Sequence, residues 1–109
     1  MSKALIDRRH VVAEPLFQWD RGQVLEVYGL SLPAAPEVHF AHEGADDAQV
    51  VQSTRDAAGV IRAVIPDAML ESAADIRAWI VDETNGSRTL CEIQVPVTER
   101  AQPNYEMEV

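Results

Sequence analysis

The chain has 109 residues, and its 18 acidic and 9 basic side chains give a net charge of −9 at neutral pH. That length supports one modest hydrophobic core and excludes a large multidomain enzyme. A hydrophobic share of 47% with 25% charged residues excludes a disordered acidic tail, and the even spread of the acids leaves no basic stripe for duplex nucleic acid or an anionic membrane.

No run approaches the roughly 18 apolar residues of a membrane-spanning helix, so the expectation is a soluble domain with neither nucleic acid nor membrane as a partner. Residues 1–9 carry charges too early for the apolar stretch of a secretory signal. The single cysteine, Cys91, excludes an internal disulfide and fits a reducing compartment.

Apolar residues recur at a spacing of two, with turn-forming residues interrupting them every 8 to 12 positions or so, which is the pattern of short β-strands. Residues 10–17 form the first predicted strand, with Pro15 marking an edge or a bend. Residues 19–22 read as a turn, and residues 23–28 as a strand with Leu25 and Val27 on its drier face. The connection Leu32-Pro33-Ala34-Ala35-Pro36 leads into residues 37–42, where Val38 and Phe40 share one face. Residues 49–54 and 60–65 read as a hairpin whose loop contains Gly59.

One short helical turn is predicted near residues 67–71, capped by Asp67. Residues 76–81 resume as a strand with Trp79 assigned to the core. The pair Asn85-Gly86 marks a tight turn. Residues 89–97 return with Cys91, Ile93, Val95 and Val97 on the buried side. Residues 1–109 are therefore expected to form a single all-β domain, an antiparallel two-sheet sandwich of immunoglobulin-like or jelly-roll-like type, with residues 1–9 and the tail 102–109 extended.

The chemistry-bearing residues give no catalytic pattern. His39 and His42 lie three apart on a strand, so their side chains point to opposite faces and do not converge on one metal ion. Cys91 falls on the apolar face, where a thiol packs as a small hydrophobe. No serine sits in a nucleophile turn, and the five glycines are dispersed one to a turn rather than gathered into a phosphate cradle. The expectation is a protein that is not an enzyme and has no cofactor.

The aromatic residues are more informative. Phe17 and Trp19 near one end, and Tyr105, Met107 and Val109 near the other, place apolar side chains where a monomer ordinarily has polar, frayed segments. These five are the candidate interface residues, with the C-terminal ones packing either on a neighbouring subunit or back on their own domain.

The run Pro15-Leu16-Phe17-Gln18-Trp19-Asp20-Arg21-Gly22-Gln23-Val24-Leu25, followed by Gly29-Leu30 with Leu32-Pro33, Glu37-Val38-His39-Phe40 and Ile65-Pro66-Asp67-Ala68-Met69-Leu70, resembles short virion-associated proteins encoded in phages and prophages of gut bacteria. The likeness spans most of residues 15–105. That family's usual ending has a lysine before the proline, where this chain has Gln102 before Pro103. The resemblance implies a phage virion structural component, a head fibre, decoration or tail or baseplate-associated protein, made in the bacterial host cytoplasm and residing in the virion. It implies a homo-oligomer that assembles with other virion proteins, and it carries over no catalytic residue. Two other expectations stand beside it: a phage inhibitor of host defence that binds a host protein or gathers Arg55, Arg62 and Arg77 on a signalling nucleotide, and a carbohydrate-binding module that stacks a host-surface glycan on Trp19 or Tyr28.

Overall fold

The protein is described by a computed structural model covering residues 1–84 and 86–104. In chain order the strands are β1 (Ser2–Leu5), β2 (His10–Val12), β3 (Leu16–Phe17), β4 (Val24–Tyr28), β5 (Glu37–His42) and β6 (Gln49–Gln52), then β7 (Thr54–Arg55), β8 (Ile61–Val64), β9 (Ile76–Asp82), β10 (Arg88–Val95) and β11 (Val97–Thr98). A single 3-10 turn, Asp67–Glu71, separates β8 from β9. The first sheet has the order β1-β4-β8-β7 and the second β2-β10-β9-β5-β6, with β3 and β11 forming a small pair. The fold is an all-β sandwich.

Alternation explains which face each strand buries. Leu25 and Val27 of β4 and Ile61 and Ala63 of β8 point inward from the first sheet. They meet Val38 and Phe40 of β5, Ala78 and Ile80 of β9, and Ile93 and Val95 of β10 from the second. Phe40 and the isoleucines are fully buried, and each such side chain contributes on the order of 1.5 to 3 kcal/mol by leaving water. The return strand matches its predicted face, since Cys91, Ile93, Val95 and Val97 are all buried.

The strand pairing is less uniform than an antiparallel sandwich. β4 with β8, β9 with β10, and β5 with both β6 and β9 are antiparallel. By contrast, β1 runs parallel to β4, β2 to β10, and β3 to β11. The cause is the path of the N-terminal residues, which place β1 in one sheet, β2 in the other and β3 in the small pair. Strands that follow one another without a hairpin are free to pair parallel with distant partners. Residues 1–9 thus contribute a ladder strand, Ser2–Leu5, and Ser2 is fully buried with its hydroxyl donating to the Glu14 carbonyl at 2.6 Å.

Three local expectations are corrected. The run 49–54 does not make one hairpin with 60–65: Gln49–Gln52 pairs with β5 in the second sheet, and only Thr54–Arg55 pairs with β8. The crossing point is Ser53, buried at 4% exposure, whose backbone N–H and hydroxyl both donate to the Pro36 carbonyl. Asp67 does not cap the 3-10 turn, which has no side-chain cap; its Oδ1 instead accepts the Gly22 N–H at 3.0 Å. Trp79 is not in the core. With Ala78 and Ile80 inward, the pleat turns Trp79 to the outer face, where its indole N–H donates to Glu92.

Candidate functional site

The corner formed by residues 16–22 lies against the 3-10 turn, and it is built from the core outward. Leu16 is buried and aligns with Val97 in the small parallel pair, which turns the next side chain, Phe17, outward at 53% exposure. Gln18 N–H donates to the Thr98 carbonyl at 2.8 Å, and the Gln18 side-chain amide donates to the Glu71 carbonyl at 3.1 Å. Trp19 N–H donates to the Leu70 carbonyl at 2.6 Å. Leu70 itself is fully buried, so the corner hangs on a residue rooted in the core. Phe17 N–H donates to Asp20 Oδ2 at 3.1 Å, closing the turn from within.

Trp19 is the one non-glycine residue with positive φ among the described residues, at 73°. A bulky residue held there costs on the order of 1 to 3 kcal/mol, and persists only where surrounding contacts over-determine it. The hydrogen bonds to Leu70, Glu71 and Asp67 supply that restraint. Trp19 is half-buried and, with Asp20, Asp67, Glu71 and Pro103, lines an open polar cleft of about 740 Å3. Its three carboxylates outnumber the single cation in the lining, Arg21, so the cleft has the sign of the whole chain and disfavours an anionic occupant.

Phe17 and Trp19 are therefore brought together on one restrained corner, while Tyr105, Met107 and Val109 lie outside the described residues. Tyr28, the other proposed sugar platform, sits at the end of β4 on the outer face of the first sheet with its hydroxyl 3.4 Å from Glu26 Oε1, and it does not line the cleft beside Trp19. Arg62 and Arg77 lie in different sheets, and each is engaged by two carboxylates: Arg62 by Glu26 and Asp56, Arg77 by Glu43 and Glu92. The hydrogen-bonded acids hold both guanidinium groups above their ordinary pKa. Within one subunit these arginines do not converge with Arg55 on a phosphate.

The histidines have separate partners as well. His39 Nε2 lies 3.1 Å from Glu37, His42 Nε2 2.8 Å from the Met69 carbonyl, and His10 Nδ1 2.8 Å from Glu92. Burial pushes the Cys91 thiol above its ordinary pKa, and a thiol so placed is an inert packing group.

Residue-by-residue reading missed Glu92, on which His10, Arg77 and Trp79 converge. Its alternation with Cys91 and Ile93 places it on the outer face, but the partners come from register: Glu92 faces His10 on β2 and Trp79 on β9. No protein-family model matches the chain, and no curated protein is significantly similar to it. The corner and its cleft set Phe17 and Trp19 on one hydrogen-bonded turn at the end of an all-β sandwich.

Proposed function

We propose that this protein is a structural component of a phage virion, of head-fibre, decoration or tail and baseplate type, which acts by protein–protein assembly and not by catalysis. The observation that supports the reading is the restrained corner: Phe17 projects half-exposed beside the positive-φ Trp19, hydrogen bonds from Gln18 and Trp19 tie the corner to the 3-10 turn, and Asp20 holds the Phe17 backbone. A rigid aromatic anchor loses little conformational freedom on docking, and aromatic residues dominate binding energy at protein contacts. The motif run that carries the phage resemblance passes through this same corner. Repetition of such a contact around a symmetric particle turns a modest affinity per copy into stable attachment.

Mass spectrometry of purified particles tests the reading, with the protein expected at a fixed stoichiometric ratio to the major virion proteins. Its absence from particles overturns it. Phe17→Ser is expected to keep the fold and lose incorporation.

The cleft beside Trp19 supports one alternative, recognition of a neutral host-surface glycan through stacking and hydroxyl hydrogen bonds. Binding on a glycan array that disappears in Trp19→Ala favours it, and binding that survives this change rejects the assignment.

A further inference from the structure

Among the described residues the two large sheets have four edges, and three of them are guarded. β1 carries Lys3, whose carbonyl accepts the Glu14 N–H at 3.0 Å. β2 is three residues long and follows Arg8 and Arg9, and β7 is two residues long and ends in Arg55. β6 differs. Gln49-Val50-Val51-Gln52 has no charge and no proline, it ends the order of the second sheet, and Val50 is 54% exposed. Native edge strands ordinarily carry lysine, proline, a bulge or a cover because an open row of N–H and C=O groups templates pairing with another strand.

The hydrogen-bond phase of β6 follows from its flank. The ladder with β5 sets Gln52 opposite Glu37 and Val50 opposite His39, and one step on, Ser53 N–H donates to the Pro36 carbonyl. Hydrogen-bonded pairs alternate with non-hydrogen-bonded ones in an antiparallel ladder, so Val51 with Val38 and Gln49 with Phe40 are the bonded pairs. The backbone N–H and C=O of Val50 and Gln52 consequently point away from β5, toward the open edge.

We propose that β6 joins two copies of this chain, antiparallel about a two-fold axis at Val50, so that their five-stranded sheets become one continuous sheet. At the axis each Val50 N–H donates to the Val50 carbonyl of the second copy. A two-fold contact requires this same-residue reciprocity, and the phase of β6 supplies it. Val50 lies on the outer face with His39, so the two exposed valine side chains meet and cover each other. Centring the pair on Val50 keeps it on the half of the run before Ser53 carries the chain across to β8.

Charge selects the direction. Asp46 and Asp47 precede β6 and Arg55 follows it. An antiparallel pair sets the acidic approach of one copy toward the Arg55 end of the other, whereas a parallel pair aligns aspartate with aspartate. This also favours a second copy over a strand from an unrelated protein. The inference is independent of the virion reading, since absence from particles leaves the dimer standing and a monomer leaves the corner at Phe17 untouched.

Sedimentation of the full chain at tens of micromolar tests it. The wild type is expected at twice the 12.0 kDa subunit mass. Val50→Pro removes the N–H that points to the open edge while leaving the β5 ladder intact, a placement edge strands tolerate. Loss of both central bonds is expected to weaken the dimer about tenfold or more.

Val50→Cys supplies a second measurement. Hydrogen-bonded antiparallel pairs place Cα atoms about 5.5 Å apart, within disulfide range, so mild oxidation is expected to give a covalent dimer on a non-reducing gel. Val12→Cys, 61% exposed on the β2 edge, is the control and is expected to stay monomeric. A monomeric wild type, an undiminished Val50→Pro dimer, or cross-linking of Val50→Cys no faster than Val12→Cys overturns the proposal.

Discussion

Glu92 Oε2 accepts the indole N–H of Trp79 at 3.0 Å, and the other oxygen of the same carboxylate is shared by His10 Nδ1 and Arg77 Nη1. One acidic side chain thereby ties β2, β10 and β9 together on the outer face of the second sheet. Its solvent exposure of 25% sets it apart from a freely solvated surface pair, since partial desolvation strengthens charge-assisted hydrogen bonds.

Glu92→Gln keeps the shape and removes the charge, leaving Arg77 with Glu43 alone and presenting an amide where His10 and Arg77 need an acceptor. The expected loss is about 1 to 2 kcal/mol in urea unfolding. Glu43→Gln, which removes only the outer partner of Arg77 at 56% exposure, is expected to cost less than about 0.5 kcal/mol. Equal effects for the two variants would contradict the central role given to Glu92.

Asp56 organises the loop between β7 and β8. Its Oδ1 accepts the N–H groups of Ala58 and Val60 at 2.9 Å each, and Oδ2 accepts from Arg62 at 2.8 Å. The hydrogen bond from Arg62, then that from Val60, hold its pKa below the ordinary 3.8. A depressed folded-state value means the carboxylate stabilises the fold fully above the unfolded value, and that this contribution fades as pH falls through the folded value. Asp56→Asn is therefore expected to flatten the dependence of melting temperature on pH below about pH 4, which a series of thermal melts from neutral to acid pH reads directly.

Gly29 and Gly59 both have positive φ, at 90° and 86°, but differ in space. A Cβ at Gly29 meets the Ile6 carbonyl oxygen at 2.6 Å, where the Ile6 N–H donates to Tyr28, while a Cβ at Gly59 meets nothing within 4 Å. Gly59→Ala is expected to cost about 1 kcal/mol from backbone strain alone. Gly29→Ala adds a backbone clash that pries β1 from β4, for a total of roughly 2 to 4 kcal/mol. Equilibrium unfolding of the two variants separates the terms.

Cys91 is 3% exposed, and burial raises its pKa. Its reaction with an aromatic disulfide reagent is expected to be slow in the native protein and to follow the opening of the sandwich. Glu92→Gln is expected to speed labelling in proportion to its loss of stability. Rapid labelling of the wild type in the absence of denaturant would place the thiol at the surface.

Period-two alternation is a local property, which is why the buried faces of β4, β5 and β10 were legible residue by residue. The outward turn of Trp79 was legible too once Ala78 and Ile80 were placed inside, but the preference of large aromatics for the core pointed the other way. What outweighed that preference was a partner: Glu92, opposite on β10, satisfies the indole N–H on the outer face. Phe17 and Trp19 were recognisable as candidate interface aromatics beside a turn. Their fixation was not, because it depends on carbonyls of Leu70 and Glu71 some fifty positions away.

The sequence by itself determined that this chain forms short strands around an apolar core, that turns fall at Trp19 and just before Gly59, that a brief helical turn follows Pro66, and that Cys91 packs inside; the turn expected at Asn85-Gly86 includes Asn85, which lies outside the described residues. Tertiary structure alone decided that the N-terminal strands pair parallel, that the run through Ser53 divides between two sheets, and that Asp67 serves Gly22 and not its own turn. The physical reason is range. Pleat and turn geometry are fixed by neighbouring residues, whereas ladder partners are chosen by which distant edge offers unsatisfied N–H and C=O groups in register.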